Sequence, residues 1–290
     1  MSFVYAQKYK LCNESNENIN IFCDTKIITK DNALSYFSAG ELDLVKKYGI
    51  IKNTIICPEF CISFAGNEIR YAGKLFQALK DKHFFDRKYV LDVAYDIHIN
   101  AKSKDDIEFI VSSYENEKVY IDCIKEEKMD LDCQLAHIGS LKAFETFQKY
   151  RYENNFDEPI FNKTQMAFKN VVEGCKDDSV GGFDICTYFD FEDKSFKYRN
   201  CISINSGKDQ LVYPGENICF HNSAEEGGYT VEIVSKSIYD VVIFIEQMKS
   251  KIIYTRSYRN KNAASIGILE GFMLPMIGEE KDNKLYIKGV

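Results

Sequence analysis

Apolar residues in this sequence fall into short blocks at strand spacing, interrupted by longer stretches at helical spacing. Phe3-Val4-Tyr5-Ala6 and Ile19-Asn20-Ile21-Phe22 read as two strands around the polar turn 13–18. A second pair fills residues 50–64, with Pro58-Glu59 marking the turn between them. From Asn67 to Lys82 the period changes: Ile69, Ala72, Leu75, Phe76 and Leu79 share one helical face, and a poorer helical pattern follows from Tyr89 to Ile99. Residues 108–111 and 119–124 then predict a hairpin, followed by a strand from Leu135 to Ile138.

Ser140 can cap the next helix, in which Ala143, Phe144, Phe147 and Tyr150 recur at helical intervals, and another helix is expected from about Thr164 to Gly174. Beyond Gly181-Gly182, Phe183, Ile185, Thr187 and Phe189 alternate with Asp184, Cys186, Tyr188 and Asp190. The turn Glu192-Asp193-Lys194 returns the chain through Phe196 and Tyr198 as a hairpin. The order strands, two helices, strands, two helices, strands predicts an α+β fold, with two sheets packed together and helices on both outer faces. No linker interrupts residues 1–204, which read as one domain; 205–290 form a β-rich C-terminal extension, with runs at Tyr229–Val234 and Val241–Ile245, expected to pack on it.

At 290 residues, 45% of them apolar and 14% aromatic, the chain can bury a large core. The net charge of −7 and the interleaving of lysines with acids argue against a nucleic-acid partner. The start lacks the layout of a signal peptide and no apolar run approaches the roughly 20 residues of a membrane span, so a cytoplasmic location without membrane contact is expected. The ten cysteines are scattered through predicted strands with no CxxC, and His83, His98, His137 and His221 are isolated; reduced thiols and no metal site are expected. Gly207-Lys208 and Gly227-Gly228 lack phosphate-loop spacing, so no nucleotide cofactor is expected. No cysteine sits in a recognisable nucleophile turn, and His137 reads as a core or edge histidine.

The candidate chemistry begins at Ser2. Removal of Met1 would leave a hydroxyl and a free α-amine on one residue, the amine able to act as base for its own side chain. Downstream come Asp24-Thr25-Lys26, Lys52, Ala65-Gly66, Gly139-Ser140 and Asp177-Asp178-Ser179-Val180-Gly181-Gly182. Singly, each has a plain reading: a solvated lysine, a turn acid, a helix cap, turn glycines.

In this order they make residues 2–204 resemble a proteasome β subunit, including the bacterial proteasome-like peptidases, within the N-terminal nucleophile (Ntn) hydrolases. The resemblance implies a four-layer αββα sandwich, Ser2 as nucleophile, Lys52 as the cation that lowers proton affinity around it, and Asp24 as the residue that holds Lys52. It further implies Gly66 as backbone oxyanion donor, and Ser140 and Asp177 as hydrogen-bonding partners around the amine. By the same resemblance Ile27, Ile50, Phe64 and Ala72 would line an apolar substrate pocket, with Glu68 adding some basic preference. The chain departs from the family pattern at Ser2 for threonine, Lys26 for arginine, Ile28 for threonine, Leu141 for glycine and Val180 for a frequent serine.

The implied activity is amide or peptide hydrolysis through an acyl-enzyme on Ser2, without a cofactor. Peptides or unfolded protein are the implied substrates, in a homo-oligomer that can form a ring. Two other classes stay open: a non-catalytic assembly or regulatory subunit with the same sandwich, and a small-molecule amidase. Ser2→Ala and Lys52→Ala are each expected to remove activity and leave the fold intact.

Overall fold

The computed structural model describes residues 2–10, 16–28, 39–80, 86–153, 160–199, 201–205, 218–223, 228–233, 239–244, 252–257, 271–281 and 284–287. Met1, most of the expected first turn, residues 81 and 82 of the expected helix, Gly207, Lys208, Gly227, Val234 and Ile245 lie outside them.

In chain order the elements are β1 (Phe3–Tyr9), β2 (Asn18–Asp24), α1 (Ala39–Tyr48), β3 (Asn53–Cys57), β4 (Phe60–Ala65), α2 (Arg70–Lys80) and α3 (Arg87–Ile99). There follow β5 (Glu108–Glu115), β6 (Lys118–Lys125), β7 (Lys128–Asp130), β8 (Leu135–Gly139), α4 (Leu141–Glu153), α5 (Ile160–Gly174), β9 (Asp184–Asp190) and β10 (Ser195–Arg199). The remainder is all strand: β11 (Cys201–Asn205), β12 (Ile218–Ser223), β13 (Gly228–Ile233), β14 (Tyr239–Phe244), β15 (Ile252–Ser257), β16 (Leu274–Lys281) and β17 (Lys284–Ile287). The fold is α+β, as expected.

One antiparallel sheet has the order β10-β9-β2-β1-β8 and a second β3-β4-β5-β6-β7. Successive side chains of a strand point to opposite faces, and β1 and β2 are apolar on both. Val4, Ala6, Ile19, Ile21 and Cys23 join Cys61, Ala65, Ile110 and Ile121 of the second sheet in one core. On the other face Phe3, Tyr5 and Phe22 meet Phe147 of α4 and Phe168 and Val171 of α5, with Phe3 stacked on Phe168 at 5.1 Å. The second sheet turns Phe60, Ile62, Phe64, Phe109 and Val111 toward Leu75 and Leu79 of α2 and Val90, Leu91 and Ala94 of α3.

A third, antiparallel sheet has the order β11-β14-β15-β16-β17-β12-β13. The boundary drawn at residue 204 falls within β11, which pairs with β14. This sheet docks on the second through a bridge between Ile51 and Met273, through the buried Tyr254, whose hydroxyl donates to the Tyr48 carbonyl at 2.8 Å, and through Phe272.

Among the helices and β1–β10, two elements depart from the sequence expectation. α1 was not expected, because Leu42, Leu44 and Val45 make no clean helical face; Glu41 in its first turn and Lys46 and Lys47 in its last suit the helix dipole, and packing against β16 completes it. β7 was not expected because its turn, Glu126-Glu127, has positive φ at both residues, a conformation usually announced by Asn-Gly.

His137 of β8 lies flat on Phe144 of α4, ring centroids 3.6 Å apart. Burial, with Lys125 assisting, pushes its pKa down from 6.5 to about 4. The unfolded chain takes up this proton first, so the stability that neutral His137 contributes is present at neutral pH and lost as pH falls from 6.5 toward 4. His137→Phe is expected to flatten that acid limb, measured as urea midpoints at about pH 7 and about pH 5; an identical acid limb in both proteins would contradict the assignment.

Candidate functional site

Ser2 stands at the head of β1 and is 6% exposed. Its carbonyl accepts a hydrogen bond from the Ser140 backbone N–H at 2.7 Å. Gly139, at φ 89°, makes this approach possible: a Cβ there would lie 1.9 Å from the Ser2 carbonyl oxygen. The first residue of the strand is thereby fixed against the entrance to α4.

Asp24 ends β2 and is fully buried. Its Oδ1 accepts from the Phe3 backbone N–H at 2.9 Å and from Lys52 Nζ at 2.7 Å, and its Oδ2 accepts from the Gly181 N–H at 3.2 Å. Lys52 Nζ donates also to the Lys26 carbonyl at 2.6 Å and is 1% exposed. Burial pushes the Asp24 carboxyl up and the Lys52 ammonium down, while each partner's charge pulls the other back. Such a pair is tolerable only with further hydrogen bonds to its members, and three backbone groups supply them.

Ser2, Lys52 and Gly66 lie on one cleft. Ile27, Ile28, Phe64, Ile69 and Ile107 give it apolar walls, and Asn67 completes the lining. Gly66, at φ 151°, presses against the segment before β5: a Cβ would lie 2.2 Å from the Asp106 carbonyl oxygen. The following N–H groups, of Asn67 and Glu68, donate to the Asp105 and Asp106 carbonyls at 3.1 and 3.0 Å, which brings Ile107 to the cleft.

On the α4 side, Ser140 Oγ donates to Asp177 Oδ2 and accepts from the Ala143 N–H at 3.1 Å, so one hydroxyl caps α4 and ties it to the loop before β9. Ser179 adds its N–H and hydroxyl to Asp177 Oδ1 at 2.9 and 2.6 Å. Burial raises the Asp177 carboxyl, but the bonds from Ser140 and Ser179 outweigh it and hold the group below the ordinary carboxylate range.

Of the residues singled out in the sequence, Ser2, Lys52, Gly66, Ile27 and Phe64 share the cleft, Asp24 holds Lys52, and Ser140 is bonded to both the Ser2 carbonyl and Asp177. Ile50 and Ala72, the latter on the inner face of α2, are instead fully buried in the core, and Glu68 is 3.4 Å from Arg70 rather than on the cleft lining. Asn67, Ile69, Ile107 and Ser179 were missed. Asn67 follows Gly66 directly, and Ser179 lies within the Asp177–Gly182 motif, but Ile107 reaches the cleft through a contact that no local pattern announces. Val180 faces the core against α4 and α5, so the hydroxyl serving Asp177 comes from the preceding position. Among the described residues no cluster of three or more His, Cys, Asp or Glu is arranged to hold a metal ion.

No family model matches this chain, and no curated protein matches its sequence.

The burial of Lys52 corrects one expectation: Lys52→Ala is not neutral to the fold, because it strands Asp24. Lys52→Met is expected to destabilise by about 3–5 kcal/mol, and Asp24→Asn combined with Lys52→Met by clearly less than the sum of the two single changes. Denaturant unfolding of the two single variants and the double variant measures the coupling; additive losses would mean the pair is not coupled in solution.

Proposed function

We propose that the protein is a serine-type N-terminal nucleophile hydrolase of proteasome β-like fold that cleaves an amide or peptide bond through an acyl-enzyme on Ser2. The observation that carries this reading is the convergence of Ser2, Lys52 and Gly66 on one cleft, with Lys52 locked by Asp24. These residues are far apart in sequence, and a buried lysine on the wall of the cleft that Ser2 lines has a desolvation cost that a role in that cleft accounts for. The layering of the two five-stranded sheets between α2–α3 and α4–α5 supports the αββα sandwich that the resemblance implies.

With Met1 removed, the Ser2 α-amine, of ordinary pKa about 7.7–8.0, is near the value useful to a general base at neutral pH, and the Lys52 charge favours its neutral form. The amine takes the Ser2 hydroxyl proton as Oγ attacks the substrate carbonyl. The Gly66 N–H receives the developing oxyanion, a contribution of about 10²–10³ in rate for one such donor. The amine then gives its proton to the leaving nitrogen as the C–N bond breaks, which leaves an ester on Ser2. Water, deprotonated by the same amine, attacks the ester, and the proton returns to Ser2 Oγ as the acid departs. The apolar walls of the cleft favour an apolar acyl side chain, and oligomeric ring assembly belongs to this reading as the arrangement of its family.

Intact-mass measurement after exposure to a β-lactone and to a peptide epoxyketone tests the reading, because the epoxyketone needs a hydroxyl and a free amine on one residue. Loss of Met1 and a single adduct, absent in Ser2→Ala, are expected. Retained Met1 with no adduct would overturn the nucleophile assignment in favour of a non-catalytic subunit. Cleavage of acylated amines but not of peptides would narrow the enzyme to an amidase.

A further inference from the structure

Phe64 is a cleft residue whose ring also reaches the segment that leads into β16. Behind it stand Phe76 of α2, at 6.1 Å and 78°, and Phe272, at 5.6 Å and 66°. These two meet each other at 5.3 Å and 80°, so the three rings close an edge-to-face triangle beneath the cleft. Phe272 is not free to slide out of it. Gly271 turns the chain at φ 72°, and the next residue, Met273, is buried, bridged to Ile51, and accepts on sulfur from the Tyr198 hydroxyl at 3.5 Å.

We propose that Phe272, supplied by the segment that leads into β16, is a specificity-determining residue: it fixes Phe64 as the floor of the cleft, sets the cleft's depth, and restricts the acyl side chain of the substrate to small or medium apolar groups. The inference rests on the cleft being the substrate site of the proposed hydrolase. The argument is one of volume. Interiors are packed to the density of organic crystals, so a ring wedged between two others holds its position only while both neighbours are present. Removing the Phe272 ring leaves Phe64 a space to move into, away from Ser2, and the pocket deepens on the side facing the substrate. Phe272 touches no reacting atom in this scheme and acts through Phe64.

The test uses the full chain with Phe272→Ala and Phe272→Leu, and blocked peptide amides whose acyl residue is alanine, leucine or phenylalanine. Phe272→Ala is expected to raise the ratio of kcat/KM for the phenylalanyl over the alanyl substrate about tenfold, with Phe272→Leu between it and the unchanged protein. An equal loss on all three substrates, with the ratio preserved, would reduce Phe272 to a structural residue and overturn the proposal. If Phe272→Ala does not fold, the Phe272→Leu ratio decides in the same way. If the unchanged protein cleaves none of them and forms no Ser2 adduct, the hydrolase reading fails separately, and dissociation constants of the same amides, measured calorimetrically on the unchanged protein and both variants, decide the pocket. A shift toward the phenylalanyl ligand then upholds the role of Phe272, and no binding or no shift rejects it.

Discussion

The Asp24–Lys52 pair is the constraint on which the rest of the site depends. Two charges withdrawn from water cost several kcal/mol each unless geometry and hydrogen bonding compensate, and the compensation here comes from three separate stretches of chain. Phe3 and Gly181 donate to Asp24, and the Lys26 carbonyl accepts from Lys52. The pair is therefore satisfied only when the head of β1, the end of β2, the loop after it, residue 52 and the turn before β9 are all in place. This is a strong condition on the fold, and it is met at the point where Ser2 lies.

Strand packing explains why residue 2 lies there. β1 is buried on both faces, with Phe3 and Tyr5 on the helical side and Val4 and Ala6 on the sheet side, so neither face can turn to solvent. A central strand pinned between β2 and β8 has its register set by both neighbours, and a slip of one residue would put Phe3 and Tyr5 among the small side chains between the sheets. The position of residue 2 thus follows from the packing of residues 3 to 9. The bond from Ser140 to the Ser2 carbonyl, permitted by the glycine before it, fixes the last free peptide.

Much of this was legible in the sequence because it is local. β1, β2, the 53–65 hairpin, α2 to α5 and the β9–β10 hairpin all carry the period of their element over enough residues to be read. The cleft residues Ser2, Lys52 and Gly66 were readable from their order along the chain. What escaped was set by distant contacts. α1 depends on β16, more than two hundred residues away, and Ile107 depends on the close approach at Gly66. Ile50 and Ala72 were assigned to the pocket by the resemblance, but their apolar character serves equally well for the core, and the core is where they are found. An apolar residue near a site carries no mark of which side of the wall it faces.

The C-terminal sheet shows how far such non-local dependence reaches. Lys52 follows Ile51 directly, and Ile51 is bridged to Met273; Tyr48, four residues before Lys52, receives bonds on its carbonyl from Thr25 and from the fully buried Tyr254. The segment 48–52 is held between the loop after β2 on one side and the third sheet on the other, with the Ile50 N–H donating to the Thr25 carbonyl at 2.9 Å. Burial of Tyr254 and Met273 is worth about 1.5–3 kcal/mol for a side chain of that size, and the Tyr254 hydrogen bond about 1 kcal/mol. Those energies oppose any movement of the segment that carries Lys52. A sheet that reads in the sequence as an appendage is therefore part of what places the ammonium, and the geometry of the buried pair is a joint property of all three sheets.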